Sequence, residues 1–119
     1  MESYRELLVW QKSMDLAQEI YSIVKFFPNE EIYSLTSQVR RCVVSIPSNI
    51  AEGYGRQSLL EYIRFLRISR GSLNELQTQL ELAFRFNYIN ENNLQNLMDK
   101  TNEIGRMLNS LISKLEAKK

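Results

Sequence analysis

The sequence predicts an all-α protein that folds as an up-and-down, antiparallel four-helix bundle. Apolar residues recur at steps of three and four along most of the chain, which is the spacing of one helix face. The 119 residues include only two prolines and four glycines, so we expect long helices joined by short connections. No segment carries a β-hairpin signal. These observations favour a helical bundle over a fold that contains a sheet.

The first two helices are predicted over residues 8–27 and 30–54. Pro28 ends the first helix because proline cannot donate the next hydrogen bond of the ladder. Asn29, followed by two glutamates, is typical of a helix cap with an acidic first turn. The second helix is expected to end where two glycines flank Tyr54.

Pro47 interrupts the apolar pattern of the second helix. A proline inside a helix removes one hydrogen bond and costs about 3 kcal/mol or more. Either the helix is kinked and continues, or it breaks and Asn49 caps a short new helix. We favour the kink, because the apolar spacing runs without interruption from Val39 to Ile50.

The remaining two helices are predicted over residues 58–86 and 91–117. Ser58 and Glu61 have the spacing of a capping box at the start of the third helix. Apolar residues then keep alternating steps of three and four through both segments, as in the seam of an antiparallel bundle. The whole chain is therefore expected to form one domain, residues 1–119.

The third helix carries a second apolar face, opposite the face predicted to form the core. A bundle helix should be polar there, so this face indicates burial against a second copy of the chain. A helical glycine within it would let a neighbouring backbone come close. The alternative is that scattered exposed apolar side chains are normal. The predicted oligomer interface consists of Leu60, Ile68, Gly71, Leu82 and Phe86.

Several classes of protein are disfavoured by composition. The single cysteine, Cys42, rules out an internal disulfide framework and fits a reducing compartment. No secretion signal is visible, and no apolar run is long enough for a membrane span. We therefore expect a cytoplasmic protein that does not associate with a membrane.

An enzyme is not expected either. The chain has no histidine, so the commonest general base and the commonest transition-metal ligand are missing. Cys42 occupies an apolar stripe, where a buried and unreactive thiol is typical. The glycine-rich phosphate-loop patterns are also absent. The sequence predicts no catalytic residue, no metal site and no cofactor.

Positive charge is concentrated in the middle of the chain. The net charge is +1, but residues 36–71 hold six basic and two acidic side chains. All six cations are arginines, which suit bidentate contacts with phosphate or carboxylate groups. Arginine is also a good helix former, so a purely structural role remains open. The candidate nucleic-acid-binding residues are Arg40, Arg41, Arg56, Arg64, Arg67 and Arg70.

Four motifs give the chain a family resemblance. They are LLVWQKSMDLAQEIY at residues 7–21, FPNEEIYSL at 27–35, QVRRCVVSIPSNIAEGYGR at 38–56 and EYIRFLRISRGSLNELQTQL at 61–80. With them the chain resembles the four-helix-bundle proteins encoded in intervening sequences of bacterial 23S rRNA genes. The resemblance implies a left-handed bundle that assembles as a ring, typically a homopentamer. It extends to the accessory variability proteins of diversity-generating retroelements, which bind nucleic acid and a reverse transcriptase.

Three functional hypotheses follow. The first is a ring-forming scaffold without enzymatic activity, whose arginines bind RNA or DNA by neutralising phosphates. The second is an adaptor that binds an acidic partner protein, for example a reverse transcriptase. In the third, the arginines pair with acidic residues of adjacent subunits and serve only to assemble the ring.

Overall fold

The computed structural model describes residues 3–119 and confirms an all-helical protein with four long helices. These are α1 (Leu8–Val24), α2 (Leu35–Tyr54), α3 (Leu59–Arg85) and α4 (Glu91–Glu116). Two short 3-10 turns, Tyr4–Glu6 and Asn29–Glu31, precede α1 and α2. No strand occurs within residues 3–119. Across the same residues, no helix is long and apolar enough to cross a membrane.

The helices are joined by short connections, and consecutive helices run antiparallel. Each helix packs against its neighbours in the order α1–α2–α3–α4, and α4 closes the bundle against α1. The resulting body measures 46 × 24 × 20 Å. One apolar core runs along its axis, and burial of this surface is the main contribution to stability. Its largest fully buried side chains are Leu16, Ile20, Ile46, Ile50, Ile63, Leu66, Leu73, Leu76, Leu80, Leu97, Ile104 and Leu108.

The connection between α1 and α2 is longer than the sequence predicts. The helix expected over residues 8–27 ends at Val24, and the helix expected from residue 30 begins at Leu35. Phe27 leaves the helix because its ring packs in the core, 5.4 Å from the ring of Tyr88. Glu31 lies before α2, where its Oε1 accepts a hydrogen bond from the amide of Leu35 (3.3 Å). It therefore caps the helix from outside instead of forming its first turn.

The other helix termini follow the expected chemistry. The Ser58 hydroxyl accepts a hydrogen bond from the amide of Glu61 (3.2 Å) and caps α3. The side chain of Asn90 caps α4 in the same way, with the amide of Asn93 as donor (2.7 Å). Between them, Asn87 has a φ of 65°, the left-handed conformation that asparagine tolerates at the end of a helix.

Helix α2 continues through Pro47, so the chain does not break there. The Asn49 side chain donates to the carbonyl of Ser45 (2.8 Å) within the same helix and does not cap a new one. The hydroxyl of Ser45 donates to the carbonyl of Cys42 (2.6 Å). Pro47 itself is buried against the core. An intact helix agrees with the predicted kink, and the size of the bend stays a prediction.

Candidate nucleic-acid interface

The six candidate arginines do not form one patch. Arg40 and Arg41 lie near the start of α2, whereas Arg56 lies just beyond its end. Sixteen residues of helix separate Arg40 from Arg56 by about 24 Å along the axis. Arg64 and Arg67 lie near the start of α3, beside Arg56, and Arg70 lies one turn farther along. One small ligand therefore cannot contact all six arginines at the same time.

The two arginines at the start of α2 have local partners. The guanidinium carbon of Arg40 lies 5.5 Å from the centre of the Tyr21 ring on α1, a cation–π distance. Its Nε is buried and has no hydrogen-bond partner. Arg41 is exposed and donates to the hydroxyl of Ser37 (3.3 Å). Arg40 thus helps to pack α2 on α1, and Arg41 lies in an open groove between α2 and α3.

Arg70 connects two helices. Its Nε donates to the side-chain oxygen of Asn109 on α4 (3.2 Å), and its Nη1 donates to that of Asn74 (2.7 Å). The guanidinium also lies close to Gly105 on α4. A Cβ added to Gly105 would lie 3.4 Å from the Cζ atom of Arg70. These contacts give Arg70 a structural role between α3 and α4.

Arg56, Arg64 and Arg67 lie at one end of the bundle, together with cations from other parts of the chain. Because consecutive helices are antiparallel, the starts of α1 and α3 and the ends of α2 and α4 meet there. An ion pair between Arg67 and Glu116 joins α3 to the last turn of α4. We call this surface the basic end. Its cations are Arg5, Arg56, Arg64, Arg67, Lys114, Lys118 and Lys119.

Arg5 and the three lysines were not predicted from the sequence, because they are distant from the central arginines along the chain. Their position could have been predicted from the antiparallel order of the helices. This order places the beginning of the first helix and the end of the last one beside the connection between α2 and α3.

The basic end keeps an excess of positive charge after its own carboxylates are counted. Among the described residues, its seven cations face four carboxylates, those of Glu6, Glu52, Glu61 and Glu116. Glu52 lies 3.7 Å from Arg56, and Glu61 lies 3.0 Å from Arg64. The hydrogen bond from Arg64 lowers the pKa of Glu61. A hydrogen bond from Lys119 and the charges of Lys119 and Arg67 lower the pKa of Glu116. Glu61 and Glu116 are therefore held in the ionised form. Seven cations against four carboxylates leave about three positive charges uncompensated among the described side chains.

Aromatic rings hold several of these cations in place. The guanidinium carbons of Arg56 and Arg64 lie 5.0 Å and 4.7 Å from the centre of the Phe65 ring. The guanidinium carbon of Arg5 lies 5.6 Å from the ring of Trp10. Gly53 makes the first arrangement possible, since an added Cβ there would lie 2.7 Å from the Cβ of Phe65. The close approach of α2 to α3 thus brings Arg56 over a ring on the opposite helix.

Four of the five residues of the predicted oligomer interface lie on the outer surface of α3, and the fifth, Phe86, directly follows its last residue. Leu60 and Phe86 are 62% and 51% exposed, and Ile68 and Leu82 are each about 40% exposed. A Cβ added to Gly71 would meet nothing within 4 Å, so this glycine faces open space in the single chain. We call these five residues the α3 strip. What covers it stays a prediction.

Cys42 is unsuited to nucleophilic chemistry. Burial, and secondarily the charge of Glu75, raise the pKa of the thiol to about 12. Its sulfur also donates to the carbonyl of Ser72 (3.0 Å). A thiol in this state is almost fully protonated at neutral pH. Within residues 3–119, no group of three or more cysteine or acidic side chains is arranged to hold a metal ion.

Comparison with known proteins identifies the family. The family model described as 23S rRNA-intervening sequence protein matches residues 5–110. The chain is also similar to the crystal structure of a protein of unknown function from the S23 ribosomal protein family of Bacteroides thetaiotaomicron. The two share 32% sequence identity and a TM-score of 0.83, over 89% of this chain and 96% of that one. A comparison with curated protein sequences gives no match. The chain therefore belongs to the 23S rRNA-intervening sequence protein family, as its motifs indicated.

Proposed function

We propose that this protein is a homo-oligomeric cytoplasmic scaffold without enzymatic activity, which binds RNA through its basic end. The observation that carries the proposal is the excess of cations over carboxylates on a surface built from four separate segments of the chain. Lysine and arginine contacts with phosphates supply most of the affinity of sequence-independent nucleic-acid binding. DNA offers the same phosphate chemistry and is the alternative ligand.

The α3 strip supports the oligomeric part of the proposal. It extends along 26 residues of helix, about 39 Å, and presents large apolar side chains to solvent. Burial of such a strip against another copy of the chain would be favourable. A ring of five copies, as the family resemblance implies, would present five basic ends. Because one basic end makes few phosphate contacts, avidity across the ring would strengthen binding to a strand that reaches several of them.

An adaptor for an acidic protein is the second candidate, and one groove favours it. The short turn Tyr4–Glu6 packs against α2. A groove therefore remains at the basic end between the start of α1 and the second half of α4. Leu8 and Met107 line it together with the basic side chains of Arg106 and Lys114, and Glu103 adds one carboxylate. An amphipathic acidic segment would match this combination of apolar floor and positive rim.

The third hypothesis, in which the arginines serve only ring assembly, has less support. Arg56, Arg64 and Arg67 each have a carboxylate partner within the same chain. They therefore do not need acidic residues of an adjacent subunit to compensate their charge.

The first experiment is native mass spectrometry of protein purified without nuclease at low salt. A pentamer that carries additional nucleotide mass would support both parts of the proposal and supply the ligand for sequencing. A pentamer without nucleotide would favour the adaptor. A monomer would contradict the assignment of the α3 strip as an interface.

The second experiment tests the basic end with two charge-matched variants. One replaces Arg64, Arg67 and Lys118 with glutamine, and the control replaces three exposed cations elsewhere: Lys25, Arg41 and Arg85. Binding of a single-stranded RNA is measured across a salt series. We expect the first variant to bind more weakly and its log–log salt slope to shrink by about 2, since each lost contact contributes about 0.7. Equal losses in both variants would show that only net charge matters and would contradict a localised site.

A further inference from the structure

Two guanidinium groups of the basic end share one aromatic ring. Arg56 approaches the Phe65 ring from the connection after α2, and Arg64 approaches it from the preceding residue of α3. The Nε atoms of these guanidinium groups also lie near carboxylates, 3.7 Å from Glu52 for Arg56 and 3.0 Å from Glu61 for Arg64. We call Arg56, Phe65 and Arg64 the arginine–phenylalanine stack.

The guanidinium groups of the stack are held beside an aromatic ring, which distinguishes them from Arg67 in the same basic end. Arg64 lies on the outer side of α3, between Leu60 and Ile68 in the α3 strip. Its guanidinium is nevertheless drawn sideways towards Phe65 and Glu61. Arg67, in contrast, reaches across to Glu116 on α4 and lies over no ring among the described residues. Simple neutralisation of phosphates requires only a positive charge, and lysine would serve equally well. A planar group fixed over a ring is not needed for that purpose.

Planar groups that are held in place can stack on nucleobases. Unpaired bases stack on aromatic side chains and on the planes of arginine guanidinium groups. Because the carboxylates and the ring already fix both guanidinium groups, little conformational entropy would be lost when a base stacks on them. In the single chain about half of each arginine side chain is exposed (47% for Arg56 and 56% for Arg64). Because the guanidinium of Arg64 lies at Phe65 and Glu61, a base can reach it beside the α3 strip.

We propose that the arginine–phenylalanine stack is a platform for unpaired nucleobases, so that the protein prefers single-stranded to double-stranded RNA. This inference rests on the proposed function, because it assumes that the basic end binds nucleic acid. The inference adds to the proposed function that the bound RNA is single-stranded. In a duplex the bases are stacked on one another and their faces are not available, whereas a single strand exposes them.

The test compares binding of a short unstructured single-stranded RNA with binding of a duplex of the same sequence, by fluorescence anisotropy at constant salt. The main variant combines Arg56→Lys and Arg64→Lys, which keeps both charges and removes both planes. The matched control combines Arg41→Lys and Arg85→Lys, two exposed arginines outside the basic end that lie over no ring in residues 3–119. A third variant, Phe65→Leu, removes the ring and keeps an apolar side chain.

We expect Arg56→Lys/Arg64→Lys to lower the affinity for the single strand about tenfold, the size of one lost stacking contact. Its affinity for the duplex should change by less than about twofold, because the charge is preserved. The control should bind both RNAs like the original protein. Phe65→Leu should resemble the main variant, with circular dichroism and native mass showing that its fold and assembly are unchanged.

Each failure has its own signature. If the original protein binds neither RNA, the proposed function and this inference both fall. If it binds both RNAs, and the lysine variant loses no affinity for the single strand or loses it equally for the duplex, the stack acts only as charge. In that case the proposed function survives and this inference does not. Since the two lysine substitutions lie on the surface, the decision does not depend on whether Phe65→Leu folds.

Discussion

The contact between α2 and α3 and the contact between α1 and α4 are built on different physical principles. The first is the most extensive helix contact of the bundle, and the second is the least extensive. Fully buried side chains such as Ile46 and Leu66 fill the α2–α3 contact. Within it the hydroxyl of Ser69 also donates to the carbonyl of Ile46 (2.8 Å). The close approach at Gly53 completes this pairing at the basic end.

The α1–α4 contact shares the apolar core, to which Leu16 and Ile104 contribute, and is in addition bridged by charged side chains. Lys12 lies 3.2 Å from Glu103, and Glu19 accepts hydrogen bonds from Lys100 and from Asn96 (2.7 Å to the amide). Ion pairs at a partly exposed surface contribute little free energy, and salt screens them. The contribution of buried apolar surface is not screened by salt in this way. The arginine–phenylalanine stack therefore lies on the more strongly packed half of the bundle.

The largest expected effect is a cavity in the α2–α3 contact. Leu66→Ala should lower the free energy of unfolding by about 3 kcal/mol, because Leu66 is fully buried. Leu60→Ala on the same helix is the control, since Leu60 is 62% exposed in the single chain and should change the free energy of unfolding of a dissociated chain by less than about 0.5 kcal/mol. Urea denaturation measures both. Equal losses would mean that Leu60 is buried in the assembled protein, and native mass spectrometry would then show whether Leu60→Ala dissociates the oligomer.

A smaller effect is expected at two helical glycines that differ only in their surroundings. Gly53→Ala should destabilise the protein by about 1–3 kcal/mol, because the new methyl group would lie 2.7 Å from the Cβ of Phe65. Gly71→Ala should stabilise a single chain by about 1 kcal/mol, since nothing lies within 4 Å and alanine favours the helix.

Thermal unfolding compares the two glycine variants. If Gly53→Ala is as stable as the original protein, the close approach of α2 and α3 is not required. If Gly71→Ala lowers stability and the mass of the oligomer falls, a neighbouring chain packs directly against this glycine.

The smallest effect is expected in the α1–α4 contact. Glu19→Gln should lower the free energy of unfolding by no more than about 1 kcal/mol at low salt, because its ion pair with Lys100 is partly exposed. In concentrated salt the difference should disappear. Asp15→Asn is the matched control: it removes one negative charge from α1, and Asp15 forms no ion pair within the described part of the chain. A loss that persists in concentrated salt would contradict the electrostatic character of this contact.

The sequence predicted much of the fold because most of it is local. Helical spacing located four helices, the capping residue Ser58 marked the start of α3, and unbroken spacing through Pro47 indicated one continuous α2. The predictions were wrong for residues 25–34, where Phe27 packs against Tyr88 and Glu31 caps α2 from outside. Both contacts join residues that are distant in sequence or lie outside a helix, and helical periodicity does not report them.

The candidate site was predicted less completely than the fold. The helices, the apolar face of α3 and the number of arginines could be predicted from the sequence, because helix propensity and periodicity depend on neighbouring residues. Tertiary packing defined which cations share a surface. It separated Arg40, Arg41 and Arg70 from the basic end, and it added Arg5 and the lysines at the end of α4. The physical reason is that antiparallel packing brings together helix ends that are far apart in sequence, whereas neighbouring residues on one helix point in different directions.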